Sequence, residues 1–294
     1  DIGKFDLKKA HEICEKAIQK SKDSHGGKQC RNLQIQIERK NLRVQMEQVN
    51  LPNEPMLASI SYKNIKKVYG KIIRLEEKDR RKMQELRNQD KLIPFLNEIP
   101  AIKTWTTDLP QVGDYRDHIV EVKVDAMPLG FYLVMIADNA QFTDQQNAVS
   151  YLSTHVSNLS FWTRRDKINQ NEFFVVHRKS GEPINRVKAN YFVRNYNSQS
   201  RKYEYLDRGE GFTNEDGYLK PNVGEREQYQ IRWSKDDDVL NLEESYSNYT
   251  YRNNKSKRKQ ISWFLDRAIY RPGQTVYFKG LLTEFDLEDI PSIL

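Results

Sequence analysis

The chain has 294 residues and 34.8 kDa, of which 37% are hydrophobic, 30% charged and 11% aromatic. At about 100–200 residues per domain this implies roughly two domains with thin cores, and the aromatic content excludes wholesale disorder. The net charge of +7 belongs to the first part: residues 1–105 carry 23 Lys and Arg against 14 Asp and Glu, and the remainder carries 25 against 27. Basic and acidic residues interleave there, as in Glu76 to Lys82, which reads as a solvated helix face and argues against a nucleic-acid partner.

In chain order, Ala10, Ile13, Cys14, Ala17 and Ile18 recur at helical spacing, and Asp23-Ser24-His25-Gly26-Gly27 supplies a break. Cys30, Leu33 and Ile37 continue the spacing, so residues 1–38 read as a helical hairpin, the end of a helical repeat being one source for such a pair. Cys14 and Cys30 could face each other across it; two small buried apolar side chains is the reading favoured by the burial habit of free cysteine. Two cysteines make neither a disulfide framework nor a cysteine-rich zinc site.

Near Lys40 the period changes from 3.6 to 2. Leu42, Val44 and Met46, then Ala58, Ile60 and Tyr62, then Val68 to Leu75 predict three strands. Glu77 to Leu92 predicts one charged helix ended by Pro94 and Pro100, a helical insertion over residues 77–97. Val120, Val122 and Val124, the turn Pro128-Leu129-Gly130 and the apolar run Phe131 to Ala137 predict a hairpin at the centre of a β-sandwich, and Ala148 to Thr163 a closing strand. That run is the longest apolar stretch, far short of the ~20 residues of a membrane helix, so no direct membrane span is expected.

A second strand series follows. Glu172 to Arg178 and Ile184 to Arg194 flank Lys179-Ser180-Gly181-Glu182-Pro183, Thr213 to Tyr218 is a tight turn, and Gln228 to Ser234 and Tyr246 to Tyr251 are extended. Residues 252–259 read as an exposed basic connection. Ile261 to Leu265 and Gln274 to Leu282 predict one more strand pair. The fold class is therefore mainly β with α: tandem antiparallel β-sandwiches after an N-terminal helical hairpin, with domains at 1–38, 39–165, 166–258 and 259–294.

Catalytic and cofactor patterns are missing from the sequence. His11, His25, His118, His155 and His177 are scattered, and no nucleophile elbow, Walker loop or dinucleotide fingerprint occurs. Asp236-Asp237-Asp238 and Asn214-Glu215-Asp216-Gly217 have oxygen ligands suited to calcium but no completing residue at position 12, so solvated acidic turns are expected. The triplets at Asn158, Asn248 and Asn254 match the glycosylation pattern by a short rule. Tyrosines crowd residues 191–205 and 246–251, a stacking surface for a ligand or the ordinary aromatic enrichment of strands. No enzyme, cofactor or metal is expected.

The segment Phe264 to Gly280, FLDRAIYRPGQTVYFKG, closely resembles the signature that opens the second macroglobulin domain in the alpha-2-macroglobulin family, through Asp266, Arg267, Tyr270, Arg271, Pro272 and Gly273. In mechanical terms one strand ends at Asp266, Tyr270 anchors a bend, Pro272-Gly273 turns, and Val276 and Phe278 alternate inward on the return. Weaker similarity lies in Leu51 to Pro55, Pro128 to Tyr132, Ser180 to Pro183 and Thr213 to Tyr218, and residues 1–38 are similar to the helical region preceding these domains in envelope proteins of Bacteroides-like bacteria.

The resemblance implies macroglobulin-like sandwiches and a structural, non-catalytic part in a protease-entrapping inhibitor. Its implied partners are proteases, met by the full-length protein, and neighbouring macroglobulin domains of the same chain. It also implies export to the bacterial cell envelope, at the periplasm or cell surface, often with a lipid anchor on the full-length protein. The chain stops at Leu294 after two strands of the signature domain and is read as an N-terminal fragment, and neither Cys14 nor Cys30 sits in the thioester motif of the family. The alternative is a cell-surface adhesion or glycan- and protein-binding β-sandwich module.

Overall fold

A computed structural model describes residues 6–86, 88–145, 147–166, 169–224, 227–248, 257–267, 269–271, 273–286 and 290–293; the side chains of Gln84 and Gln89 lie outside the description. The chain divides into two compact units, Asp1–His155 and Val156–Leu294.

The first unit opens with α1 (Leu7–Lys20) and α2 (His25–Glu38). Asp6 caps α1 by accepting the Lys9 N–H at 2.9 Å, and Ser24 Oγ caps α2 by accepting the Gly27 N–H at 3.0 Å, so each helix begins where a side chain replaces the missing backbone acceptor. The buried and half-buried positions of α2 are Gly27, Cys30, Gln34 and Ile37; Ile13 and Leu33, expected on the apolar faces, are exposed. Asn64 Nδ2 donates to the Ile37 carbonyl at 2.8 Å and His11 stacks on Tyr115 with ring centres 5.0 Å apart, which ties the hairpin to the strands that follow.

Those strands are β1 (Asn41–Met46), β2 (Val49–Asn50), β3 (Met56–Lys63) and β4 (Lys67–Arg74), then, after two helices, β5 (Ala101–Asp108), β6 (His118–Val124), β7 (Gly130–Ala137) and β8 (Val149–Val156). They make two antiparallel sheets, β1-β3-β6 and β2-β8-β7-β4-β5. In β7 every residue from Tyr132 to Ala137 is buried because the strand lies inside the five-stranded sheet and both of its faces are covered.

The intervening helices are α3 (Glu77–Glu85), opened by a reciprocal Glu76/Asp79 capping box, and α4 (Gln89–Glu98). They cover one face of the five-stranded sheet: Leu92, Ile93, Phe95 and Leu96 join Ile73, Leu133, Met135, Ala137 and Phe142 in one buried cluster. The single helix expected over 77–92 is thus two, and Pro94 lies inside α4 instead of ending a helix. The four apolar residues flanking Pro94 are buried, and that burial outweighs the hydrogen bond the proline ring deletes.

Two further expectations are corrected. Strands β6 and β7 are not a hairpin: β6 pairs with β3 and β7 with β4, so the chain crosses between sheets through Asp125 to Leu129. Met127 is buried in that crossing, and the Tyr132 hydroxyl donates to the Pro128 carbonyl at 2.9 Å. The closing strand expected over 148–163 is likewise two strands, because the chain leaves the first unit's sheet at Val156.

The second unit contains β9 (Leu159–Arg165), β10 (Asn171–His177), β11 (Lys188–Asn197), β12 (Lys202–Phe212), β13 (Tyr218–Leu219), β14 (Gln228–Lys235), β15 (Asp238–Leu240) and β16 (Tyr246–Ser247). Sheet β13-β10-β9 faces sheet β12-β11-β14-β15, to which β16 adds at β14. Because β9 pairs with β10 along seven residues, it belongs with the second sandwich and not with the first, where a boundary at residue 165 would put it. An aromatic core joins the sheets: Phe161 of β9 and Phe173 of β10 each lie 5.5 Å from Trp233 of β14. Asp238 fixes the start of this unit, its carboxylate accepting from Ser157 Oγ at 2.6 Å and the Asn158 N–H at 2.7 Å.

The turn at Lys179 to Pro183 forms as expected, with His177 N–H donating to the Glu182 carbonyl at 2.7 Å, but the chain then passes to the other sheet to begin β11. Finally β17 (Arg258–Leu265), β18 (Phe278–Phe285) and β19 (Pro291–Ile293) form a separate three-stranded antiparallel sheet. Strand β18 begins at Phe278, four residues later than the sequence suggests. The fold class is mainly β with α, built of antiparallel sheets after a helical pair.

Candidate functional site

The signature residues lie at the base of β17 and β18. Asp266 follows the last residue of β17 and its backbone N–H donates to the Tyr277 carbonyl at 3.1 Å. Its Oδ1 accepts the Tyr277 N–H at 3.1 Å and the Tyr270 hydroxyl at 2.5 Å, while Tyr270 Oη accepts the Arg267 N–H at 3.1 Å. One carboxylate and one phenol thus close the whole bend from Asp266 to Tyr277. The Tyr270 hydroxyl beside it, together with the Tyr277 amide and the Arg267 guanidinium, holds the Asp266 carboxyl below the usual carboxylate range.

Gln274 closes the inner turn. Its Oε1 accepts the Arg271 N–H at 2.8 Å and its own N–H donates to the Arg271 carbonyl at 3.1 Å. Gly273 takes a φ of +85°, a left-handed conformation that glycine adopts without a Cβ penalty. Pro272 lies outside the described residues. Val276 and Phe278 do not turn inward as expected: both are exposed. The register places Ile261, Trp263 and Leu265 on one face with Phe278, Gly280 and Leu282, and Gly280 makes room for the Trp263 ring, whose edge would meet a Cβ there at 2.9 Å.

The tyrosine-rich segment divides by position along the β11–β12 hairpin, the base of β11 covered and the tip exposed on both faces. Tyr191 is buried in the second sandwich, whereas Tyr246 is half-buried and meets Phe173 edge-on at 4.9 Å. Tyr196, Tyr203 and Tyr205 are exposed near the tip of the β11–β12 hairpin. There the Arg194 guanidinium lies 3.7 Å from the Tyr203 ring centre and donates to Gln228 Oε1 at 2.7 Å. Tyr249 and Tyr251 lie outside the described residues, as do the Asn254 triplet and the last two residues of the Asn248 triplet.

An aromatic face that sequence reasoning missed lies on β9, β10 and β13. Trp162 stacks on Phe174 at 4.0 Å with planes 6° apart, Tyr218 follows at 5.3 Å, and Glu172 accepts from both Arg164 Nε at 2.6 Å and the Tyr218 hydroxyl at 2.9 Å. The cross-strand register Phe174↔Trp162 creates this stack, and register was the missing information.

Among the described residues no three His, Cys, Asp or Glu side chains come together to hold a metal. Asp238 is consumed by Ser157 and Asn158, and Asn214 Oδ1 accepts the Asp216 and Tyr218 N–H groups in its own turn. His11 pairs with Glu38 at 2.6 Å and His118 with Asp114 at 2.8 Å, each a surface ion pair or hydrogen bond. A cleft of about 330 Å³ lies between Asp6 to Lys8 and the loop Val112 to Arg116; its carboxylates cap α1 or bind His118.

No protein-family model and no curated protein matches the chain. Among solved structures it is similar to native Escherichia coli alpha-2-macroglobulin, at 15% identity and a TM-score of 0.37 over 82% of this chain and 15% of that one. It is also similar to red sea bream transglutaminase, at 8% identity and a TM-score of 0.31 over 74% of this chain and 32% of that one. A tetra-tandem repeat from the extending region of a large adhesion protein gives 8% identity and a TM-score of 0.23 over 84% of this chain and 57% of that one. At these scores the likenesses carry no argument about activity. The chain spans about 15% of the length of the Escherichia coli protein.

Proposed function

We propose that this chain is a non-catalytic structural part of an alpha-2-macroglobulin-like protease inhibitor of the bacterial cell envelope, acting by protease entrapment. The observation that carries the reading is the Asp266–Tyr270–Tyr277 bracket, built by the residues through which the sequence resembles the macroglobulin signature. A bend closed by side-chain hydrogen bonds keeps β17 and β18 in register over eight pairs, which suits a domain that must transmit mechanical rearrangement without unravelling. The proteases are partners of the full-length protein, and neighbouring macroglobulin domains are partners of this chain.

The test incubates the full-length protein with a broad-specificity protease and assays a small chromogenic peptide beside a large protein substrate. Small-substrate activity is retained and large-substrate activity lost if the protease is caged. Unchanged activity on both, with the inhibitor merely degraded, overturns the reading.

The exposed Tyr196, Tyr203 and Tyr205 beside Arg194 support a second reading as an adhesion module, since such rings present stacking faces with a polar tip. Loss of surface attachment on Tyr203→Ala, with entrapment absent from the wild type, is the outcome that favours it.

A further inference from the structure

Helices α1 and α2 are antiparallel arms of equal length about a four-residue turn, Ser21 to Ser24. Cys14 and Cys30 each lie about eight residues from the middle of that turn, one before and one after, and so stand at nearly the same height, roughly 8–9 Å along the arms from the helix ends. The same counting sets Ala17 opposite Gly27 and Ala10 opposite Gln34. The covered residues include that seam: Leu7, Ala10, Cys14 and Ala17 on α1, flanked by His11 and Ile18, and Gly27, Cys30, Gln34 and Ile37 on α2.

Three of the residues flanking the cysteines are Ala or Gly, so the backbones can approach closely at this level. Close approach is what a disulfide needs, because its Cα atoms must lie about 4.4–6.8 Å apart. Both cysteines are free thiols, Cys14 buried and Cys30 partly accessible, and their side chains are in hydrogen-bond contact.

We propose that Cys14 and Cys30 form a reversible intramolecular disulfide that staples α1 to α2 when the protein meets a disulfide-bearing oxidant. The accessible Cys30 thiolate attacks one sulfur of the oxidant, forming a mixed disulfide and releasing the other sulfur as a thiol. The Cys14 thiolate then attacks Cys30 Sγ, forming the Cys14–Cys30 bond and expelling the second thiol. Two electrons pass to the oxidant, and the two cysteine protons are taken up by its two thiolates. Burial and the Cys30 contact push the Cys14 thiol up, which assigns it the second, intramolecular step, where proximity replaces thiolate fraction. The assignment is independent of the protease-inhibitor reading, and an oxidising compartment is where the staple would persist.

The test equilibrates the folded chain with defined ratios of reduced and oxidised glutathione, quenches with acid and maps tryptic peptides. The expected product links the peptide of residues 10–16 to that of residues 29–31, lowers the intact mass by about two hydrogen masses and reverts with dithiothreitol. The equilibrium constant for closure exceeds that of the urea-unfolded chain by about 100-fold, as a loop of some 15 residues implies. Cys30→Ser leaves Cys14 a thiol at every ratio, its burial denying glutathione access. Equal closure constants for folded and unfolded chain, glutathione held stably on Cys30, or disulfide-linked dimers in place of the internal link would each overturn the proposal.

Discussion

The Tyr270 hydroxyl donates to Asp266 Oδ1 at 2.5 Å, and the same oxygen accepts the Tyr277 N–H at 3.1 Å, so a strand end, a bend and a strand start share one carboxylate oxygen. Tyr270→Phe keeps the ring and removes both the donor to Asp266 and the acceptor of the Arg267 N–H. The expected result is faster hydrogen exchange at Arg267 and Tyr277 with exchange in β10 and β14 unchanged. A folded carboxyl held below its unfolded value contributes stability that is present above about pH 4 and lost as pH falls through the lowered pKa. Protection at Tyr277 therefore survives to lower pH in the wild type than in the variant.

Lys71 supplies a second pH-linked group. Its ammonium is buried beneath α4 and has no carboxylate partner among the described residues, donating to Asn97 Oδ1 at 2.7 Å and the Leu96 carbonyl at 3.4 Å, with the Phe142 ring centre 4.7 Å away. Burial lowers its pKa from the ordinary lysine value. The unfolded amine then holds its proton more tightly, so stability rises with pH from the lowered pKa up to about 10.5. Lys71→Met should stay within about 1 kcal/mol of the wild type at neutral pH, since it relieves a buried charge while stranding an amide oxygen, and should flatten that rise. Asn97→Ala should cost about 1–3 kcal/mol. Urea unfolding from pH 7 to 10 measures both, and a wild-type slope as flat as the variant's would refute the assignment.

How much of this was legible in the sequence depended on the range of the signal. The helical pair, the alternation in β1 and β3, and the fully apolar β7 came from local period, because one buried face imposes it. The sheet membership of β6 and β7 did not: Pro128 to Gly130 looks like a hairpin turn whether the chain reverses within a sheet or crosses between two. One clue was present, since Val120, Val122 and Val124 alternate with polar residues while Phe131 to Ala137 does not, and strands of one hairpin rarely differ so in burial. Pro94 misled because its local cost is real, and only the buried flank of α4 shows what offsets it. In the candidate site, Asp266, Tyr270 and Gly273 were found through the motif, whereas the Trp162–Phe174 stack required cross-strand register that no local pattern encodes.

The aromatic core of the second unit makes it alkali-sensitive. Burial pushes Tyr191 and Tyr229 up to about 12, and raises Tyr246 further with help from the Glu244 carboxylate. A phenol raised above its unfolded value contributes stability that is complete below about pH 10 and is lost as pH rises through the folded pKa. The second unit should therefore keep level stability to about pH 10 and lose it steeply beyond. Tyr229→Phe removes one proton from that dependence. It costs about 0.5–1.5 kcal/mol at pH 7, because Asn171 Nδ2 loses the hydroxyl at 3.2 Å but keeps Asn248 Oδ1 at 3.1 Å. Near-ultraviolet circular dichroism against pH, with tyrosinate absorbance in parallel, decides it; unfolding of the variant with an unchanged alkaline slope would contradict the account.

Gly70 and Trp105 are directly opposite one another on β4 and β5, and a Cβ at residue 70 would lie 2.2 Å from the indole Cε2 and Cζ2 atoms. The ring occupies the space a side chain would need, which shields the backbone of a strand weakened by its glycine. Gly70→Ala must displace the indole, because the neighbouring atoms belong to a rigid ring system and not to a flexible chain end. The expected cost is about 1–3 kcal/mol, with a red shift of tryptophan fluorescence as the indole moves into water. Trp105→Val on its own also destabilises, by uncovering the glycine. Combined with Gly70→Ala it creates an ordinary cross-strand pair, so the double variant should be more stable than the sum of the single effects predicts, by at least about 0.5 kcal/mol. Strict additivity in a double-mutant cycle would show that the ring and the missing Cβ are not coupled, and that Gly70 is tolerated for some other reason than the indole above it.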